Sequence, residues 1–152
     1  MKNYLIFIFF ISTIVFSYKS FAIENWEFFE YDEYCFIQSM PFKTEIPEGK
    51  TRGDHGMIVY KIHKSSDLTV QITPGFDYQS VDSVQVKIDD GEYSFYTDID
   101  VAWAKDDKKT IYAMKKGLEL ITIGTSSKGT RVKDFFSLKG FTSAIKQLSN
   151  DC

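Results

Sequence analysis

Any side-chain chemistry in this chain rests on a few residues. Cys35 and Cys152 are its only cysteines, one near each end of the segment 23–152. An even count in an exported chain favours a bridge between them. A short helix at the end of the chain, too short to hold by itself, would gain an anchor from it. The rival reading keeps Cys35 as a buried small hydrophobe on its strand and Cys152 as a frayed thiol. Two cysteines so far apart lack the close spacing of a metal site, so neither a metal nor another cofactor is expected. His55 and His63 are the only histidines. With Asp54 or Asp67 they could be set around a cation, or beside a serine as a general base. No ligand spacing, no Gly-x-Ser-x-Gly and no comparable nucleophile context accompanies them, so both are read as solvated and no catalytic residue is expected.

Three further groups stand out. Arg52-Gly53-Asp54 would offer a guanidinium and a carboxylate to an adhesion receptor if exposed, but Gly-Asp is ordinary turn chemistry and the match is short. Tyr93, Phe95, Tyr96 and Trp103, with Trp26, Phe28, Phe29 and Tyr31, could line a ligand cleft or a partner-binding face; at strand spacing, core and cross-strand packing is the expected use. Asp82, Asp89, Asp90, Glu92, Asp98 and Asp100 lack the spacing of a calcium loop and read as a solvated acidic edge that discourages sheet aggregation.

The elements that must position these residues begin after a leader. Residues 1–22 carry Lys2, an apolar run over 5–16 and the small-x-small tripeptide Ser20-Phe21-Ala22, the pattern of a cleaved signal peptide. Twelve residues span only about 18 Å as a helix, short of a hydrocarbon core of about 30 Å. Residues 23–152 form one domain. Within it 16 basic residues face 21 acidic ones, a net charge of −5, which argues against nucleic acid as a partner and leaves membrane contact to the leader alone.

Strands are expected at 26–31, 35–39, 57–63, 68–73, 83–89, 92–96, 101–104, 119–124 and 130–136. The clearest is 68–73, where Leu68, Val70 and Ile72 alternate with Thr69, Gln71 and Thr73. The stretch 40–56, punctuated by Pro41, Pro47, Gly49, Gly53 and Gly56, reads as a long loop. Asp90-Gly91 marks a hairpin. A helix is predicted across 106–117, with aspartates at its start, lysines in its last turn, Gly117 to stop it, and Ile111, Met114 and Leu118 on one face. A second, C-terminal helix presents Leu138, Phe141, Ile145 and Leu148 to the core. The fold class that follows is mainly β: an antiparallel β-sandwich of about nine short strands with two short helices.

The end of the chain resembles a known family. Phe136-Ser137-Leu138-Lys139-Gly140-Phe141-Thr142-Ser143-Ala144-Ile145 is similar to the Ser-Leu-x-Gly-Phe-x-x-Ala-Leu ending of the invasion-associated locus B proteins of alphaproteobacteria. Trp26 with a nearby cysteine, Thr73-Pro74-Gly75, Ile88-Asp89-Asp90-Gly91 and Ala113-Met114-Lys115-Lys116-Gly117 echo it in order. The resemblance implies an exported, mostly-β protein of the periplasm or cell surface, named for host-cell invasion, with no catalytic residues to carry over. Family members often have further cysteines beside the first strand and mid-chain; here Phe28-Phe29-Glu30 and Tyr96-Thr97-Asp98-Ile99 have none, so the resemblance supplies no pairing. The expectation is an exported non-enzymatic envelope protein, periplasmic or extracellular, that binds an unidentified envelope or surface protein. The alternative is a hydrolase-like periplasmic enzyme with an unrecognised site. If the leader is read correctly, N-terminal sequencing of the protein from a periplasmic fraction will begin at or near Ile23; full-length chain in the membrane pellet would contradict it.

Overall fold

The structure is a computed structural model that describes residues 26–81 and 83–152. The expected leader, 1–22, and Asp82 lie outside the described residues. Two antiparallel sheets carry the fold. The first runs, in spatial order, β1 (Glu27–Glu30), β2 (Tyr34–Ser39), β4 (Gly56–Ile62), β5 (Thr69–Thr73), β9 (Val101–Ala104) and β8 (Phe95–Asp98). The second runs β3 (Lys43–Glu45), β11 (Arg131–Ser137), β10 (Glu119–Thr125), β6 (Val84–Ile88) and β7 (Gly91–Tyr93). Helix α1 (Asp107–Lys116) joins the two sheets, and α2 (Phe141–Asp151) follows the last strand.

Alternation decides which side chains enter the core. Cys35 and Ile37 of β2, Met57 and Val59 of β4, and Val70 and Ile72 of β5 point inward from the first sheet. Val86 and Ile88 of β6, Leu120 of β10 and Phe136 of β11 belong to the same buried cluster from the second.

The nine expected strands become eleven for two physical reasons. Lys43-Thr44-Glu45 pairs with Lys133, Asp134 and Phe135 at the edge of the second sheet, and as an exposed polar edge strand it has no apolar alternation to announce it. The single strand expected at 92–96 is broken at Ser94. Tyr93 pairs with Val86 in one sheet and Phe95 with Ala104 in the other, so the chain turns a corner between layers within one residue.

Helix α1 starts as expected, with the Asp106 carboxylate accepting the Lys109 N–H at 2.9 Å. Leu118 does not share its buried face: it lies beyond the helix and is 82% exposed. Gly117 has an ordinary φ of −80°, so a left-handed turn is not what requires glycine. A Cβ there would stand 2.7 Å from Ile88 Cγ2 and 3.0 Å from Leu138 Cδ1, so the requirement is close packing.

Leu138 is buried as expected but precedes α2; its N–H donates to the Leu118 carbonyl at 3.0 Å. Gly140, at φ +85°, opens the helix in a conformation that favours glycine. Phe141, Ala144, Ile145 and Leu148 then bury one face of α2 against β1, β2 and β4. Trp26 closes that layer, its ring edge-on to Phe141 at 4.8 Å and its indole N–H donating to the Ser137 carbonyl at 3.2 Å.

Cys152, just past α2, is joined to Cys35 of β2 by a disulfide with the two Cα atoms 5.9 Å apart. Closing a loop of more than a hundred residues is worth up to about 4.7 kcal/mol in the chain-entropy picture. Replacing Cys152→Ser is expected to lower the thermal midpoint by roughly 5–10 °C if about half of that is realised. Melting followed by circular dichroism checks this, and an unchanged midpoint would show that α2 is held by its apolar face alone.

Candidate functional site

The Arg52-Gly53-Asp54 tripeptide is not presented as a unit. The Arg52 guanidinium turns inward and grips Asp134 of β11 with two parallel bonds, Nη1 to Oδ2 at 2.6 Å and Nη2 to Oδ1 at 2.5 Å. Nη1 also donates to the Pro74 carbonyl at 3.0 Å and Nη2 to Thr44 Oγ1 at 3.0 Å, while Thr44 Oγ1 donates to Asp134 Oδ1 at 2.6 Å. The paired side chains are only 6% and 7% exposed. Asp54 faces solvent, but the cation that would accompany it in adhesion is buried. Tyr78 shares this region: burial pushes its phenol far up, the Asp134 carboxylate adds to the rise, and the Arg52 guanidinium opposes it.

The histidines lie at opposite ends of β4. The ring nitrogen Nδ1 of His55 is 2.9 Å from the Gly53 carbonyl in the loop. His63, expected to be solvated, is instead half-buried against the disulfide. Its Nε2 stands 2.9 Å from the Tyr31 carbonyl and 3.9 Å from Cys35 Sγ; its Nδ1 stands 3.3 Å from the Cys152 carbonyl and 3.6 Å from Cys152 Sγ. Among the described residues, Cys35, His63 and Cys152 are the group of ligand-type side chains that converges, and neither Asp54 nor Asp67 joins it. Spacing along the chain gave no hint, because 89 positions separate His63 from Cys152.

Among the described residues the acidic side chains do not gather. The Asp89 carboxylate accepts the Leu118 and Glu119 N–H groups, both at 3.1 Å from Oδ1, and so fixes the turn between α1 and β10. Glu92 pairs across the hairpin with Lys87 at 3.3 Å, and Asp90, Asp98 and Asp100 are exposed.

The aromatic residues divide between the two sides of the first sheet. Trp26 and Phe95 are buried, and Phe28 packs against the core. Phe29, Tyr31, Tyr96 and Trp103 stand on the outer side, and Tyr93 sits at the edge of the second sheet. The outer side also holds Tyr34, Phe36, Ile58, Tyr60 and Ile62, which sequence reasoning missed as surface residues. Register explains the grouping. Phe29 lies opposite Phe36 and Phe36 opposite Tyr60; Tyr34 lies opposite Ile62; Trp103 lies opposite Tyr96. Phe29 stacks on Phe36 at 4.8 Å, Tyr31 on Tyr34 at 5.3 Å, and Tyr60 meets Trp103 edge-on at 5.8 Å. A concave area of about 550 Å³ lies over this band, lined by Tyr31, Glu33, Tyr34, Phe36, Ile58, Tyr60, Ile62 and Gln71. The signal was present in the sequence: β2 and β4 are apolar on both faces, whereas an antiparallel strand with a wet outer face should alternate.

These features define a disulfide-tied, two-sheet β domain whose first sheet shows an aromatic outer face, and among the described residues no helix is long and apolar enough to cross a membrane. The chain belongs to the invasion associated locus B (IalB) protein family, whose model matches residues 32–149. Its fold is similar to the crystal structure of invasion associated protein B from Bartonella henselae, with a TM-score of 0.56 and 20% identity over 82% of this chain and 92% of that one. Comparison with curated protein sequences finds no match.

The buried ion pair generates its own test. Removing one partner leaves an uncompensated charge, which costs about 3–5 kcal/mol, so Arg52→Ala and Asp134→Ala should each lower the denaturation midpoint sharply. Asp54→Ala should leave it within about 0.5 kcal/mol of the parent. Equal, small effects from all three in urea denaturation would refute the structural role given to Arg52.

Proposed function

We propose that the mature chain is an exported, non-enzymatic protein of the periplasm or cell surface that binds a protein partner through the outer face of its first sheet. The observation that carries this is the aromatic band itself. A contiguous apolar surface of stacked rings on one face of an antiparallel sheet is costly to leave in water, and nothing among the described residues covers it. Tyr31, Tyr34 and Ile62 are exposed at its end beside the turn between β1 and β2. Aromatic rings of this kind dominate binding energy at protein interfaces.

The chemistry of the rim points to the partner's character. The concave area holds one carboxylate, Glu33, and no cation, and Glu30 and Asp32 extend the acidic border along the turn between β1 and β2. A segment with basic residues flanking apolar ones complements this surface. The lining includes no serine, histidine or cysteine, so the hydrolase alternative has no nucleophile and base to assemble there. Export is supported by the leader pattern, by the disulfide and by the family, whose name, like that of the similar Bartonella henselae protein, associates it with invasion.

The test places a photo-crosslinking residue at Tyr34, on the band, or at Tyr112, exposed on α1 away from it. A discrete adduct with an envelope protein from position 34 and none from 112 is expected. Tyr34→Ser combined with Tyr60→Ser should then weaken binding of that partner by several hundredfold or more, as loss of two rings each worth about 2 kcal/mol or more would. Adducts of equal yield from both positions, or unchanged affinity in the folded double variant, would overturn the proposal.

A further inference from the structure

We propose that Cys35, His63 and Cys152 form a metal site when the disulfide is reduced, taking a borderline or soft ion such as Zn²⁺ through two thiolates and one imidazole. The ligand atoms already lie within 4.8 Å of one another. A tetrahedral zinc centre with Zn–S of about 2.3 Å and Zn–N of about 2.1 Å has an N···S edge of about 3.6 Å. The His63 Nδ1 to Cys152 Sγ separation is 3.6 Å. One N···S edge of the site is therefore in place before any metal arrives. The two sulfurs must part to the S···S edge of about 3.8 Å that the same geometry requires, and Cys35 Sγ, now 3.9 Å from the other ring nitrogen, must come to share the ion with Nδ1. Cys152 can supply the parting of the sulfurs, because it lies past the end of α2 while the Cys35 backbone is locked within β2.

The surroundings of His63 match those of a ligand. Its Nε2 lies 2.9 Å from the Tyr31 carbonyl, and in the tautomer that donates there the bond is of the kind that orients metal-binding imidazoles and leaves the other nitrogen free to coordinate. In that tautomer the Nδ1 lone pair is the one directed toward Cys152, whose Sγ is 3.6 Å away. Access is through Cys152, which borders a surface depression with Lys61, Lys64, Ser65 and Ser149. Solvent in that depression can provide the fourth ligand, and the two ammonium groups offset the charge of the thiolates.

Conversion needs a dithiol reductant. One of its thiolates attacks the accessible Cys152 sulfur, forming a mixed disulfide and releasing Cys35 as thiolate. Its second thiol then displaces Cys152, and the reductant leaves as a disulfide, having passed two electrons to the protein. A divalent ion takes both sulfurs and Nδ1, and the two thiol protons go to solvent. The tie between β2 and α2 is thereby kept, with a metal in place of the S–S bond.

The experiment uses the mature protein, reduced and freed of reductant without oxygen, and titrated with Co²⁺ as a spectroscopic probe. One equivalent should give thiolate-to-cobalt charge transfer and the intense visible bands of a tetrahedral ion, both bleached by Zn²⁺. The oxidised protein should give neither. His63→Gln should weaken binding by about tenfold or more, since even loss of a residue that orients a ligand costs about 10–100-fold, and His55→Ala should leave it unchanged. Zn²⁺ should also raise the melting midpoint of reduced wild type but not of reduced His63→Gln, a readout that holds if reduction loosens the fold. Absence of the charge-transfer band in the reduced protein, equal binding by His63→Gln, or a reduced fold that Zn²⁺ does not restore would each overturn the proposal.

Discussion

The bond between Cys35 and Cys152 is the constraint on which the arrangement of this molecule depends. It joins the second strand to the end of the last helix across 117 positions. Helix α2 has eleven residues, too few to persist in water without tertiary support. Held down, it covers the inner side of β1, β2 and β4, so that these strands are closed on one side by Phe141, Ala144, Ile145 and Leu148. Their other side is left to Phe36, Tyr60 and their neighbours. The same covalent tie thus completes the core and leaves an apolar face without a covering element among the described residues.

A second long-range tie works by charge. Arg52 lies in the irregular stretch between β3 and β4, and its bidentate grip on Asp134 fixes that stretch to the middle of β11. Burying both groups costs desolvation, which the parallel bonds and the extra contacts to Pro74 and Thr44 offset. The gain is a defined path for residues that have no regular hydrogen-bonding pattern of their own. What resembles an adhesion tripeptide in one dimension is a structural clamp in three.

Much of the fold was legible because local chemistry and tertiary structure agree. Leu68, Val70 and Ile72 alternate cleanly and form the strand they announce, and Asp106 caps the helix it precedes. The hidden parts depend on partners far along the chain. Lys43-Thr44-Glu45 becomes a strand only because β11 offers it an edge, and the corner at Ser94 exists only because two sheets meet there. Arg52 and Asp134 stand 82 positions apart, and His63 finds Cys152 only through the fold. The outer aromatic face was visible in part, since Tyr34, Phe36, Ile58 and Tyr60 alternate with residues that are themselves apolar. Such two-sided strands suit either a fully enclosed sheet or an interface, and only the layer order, with α2 and the second sheet on the same side, decides between them.

Because the tie closes one face of the first sheet, the binding proposal and the metal proposal both start from the oxidised domain as the resting form. The most direct measurement is to quench cells in acid, alkylate free thiols without reductant, and analyse the protein from the periplasmic fraction by mass spectrometry. A peptide pair cross-linked through Cys35 and Cys152 is expected, with no alkylation at either until reduction. Two alkylated cysteines in the quenched protein would contradict it.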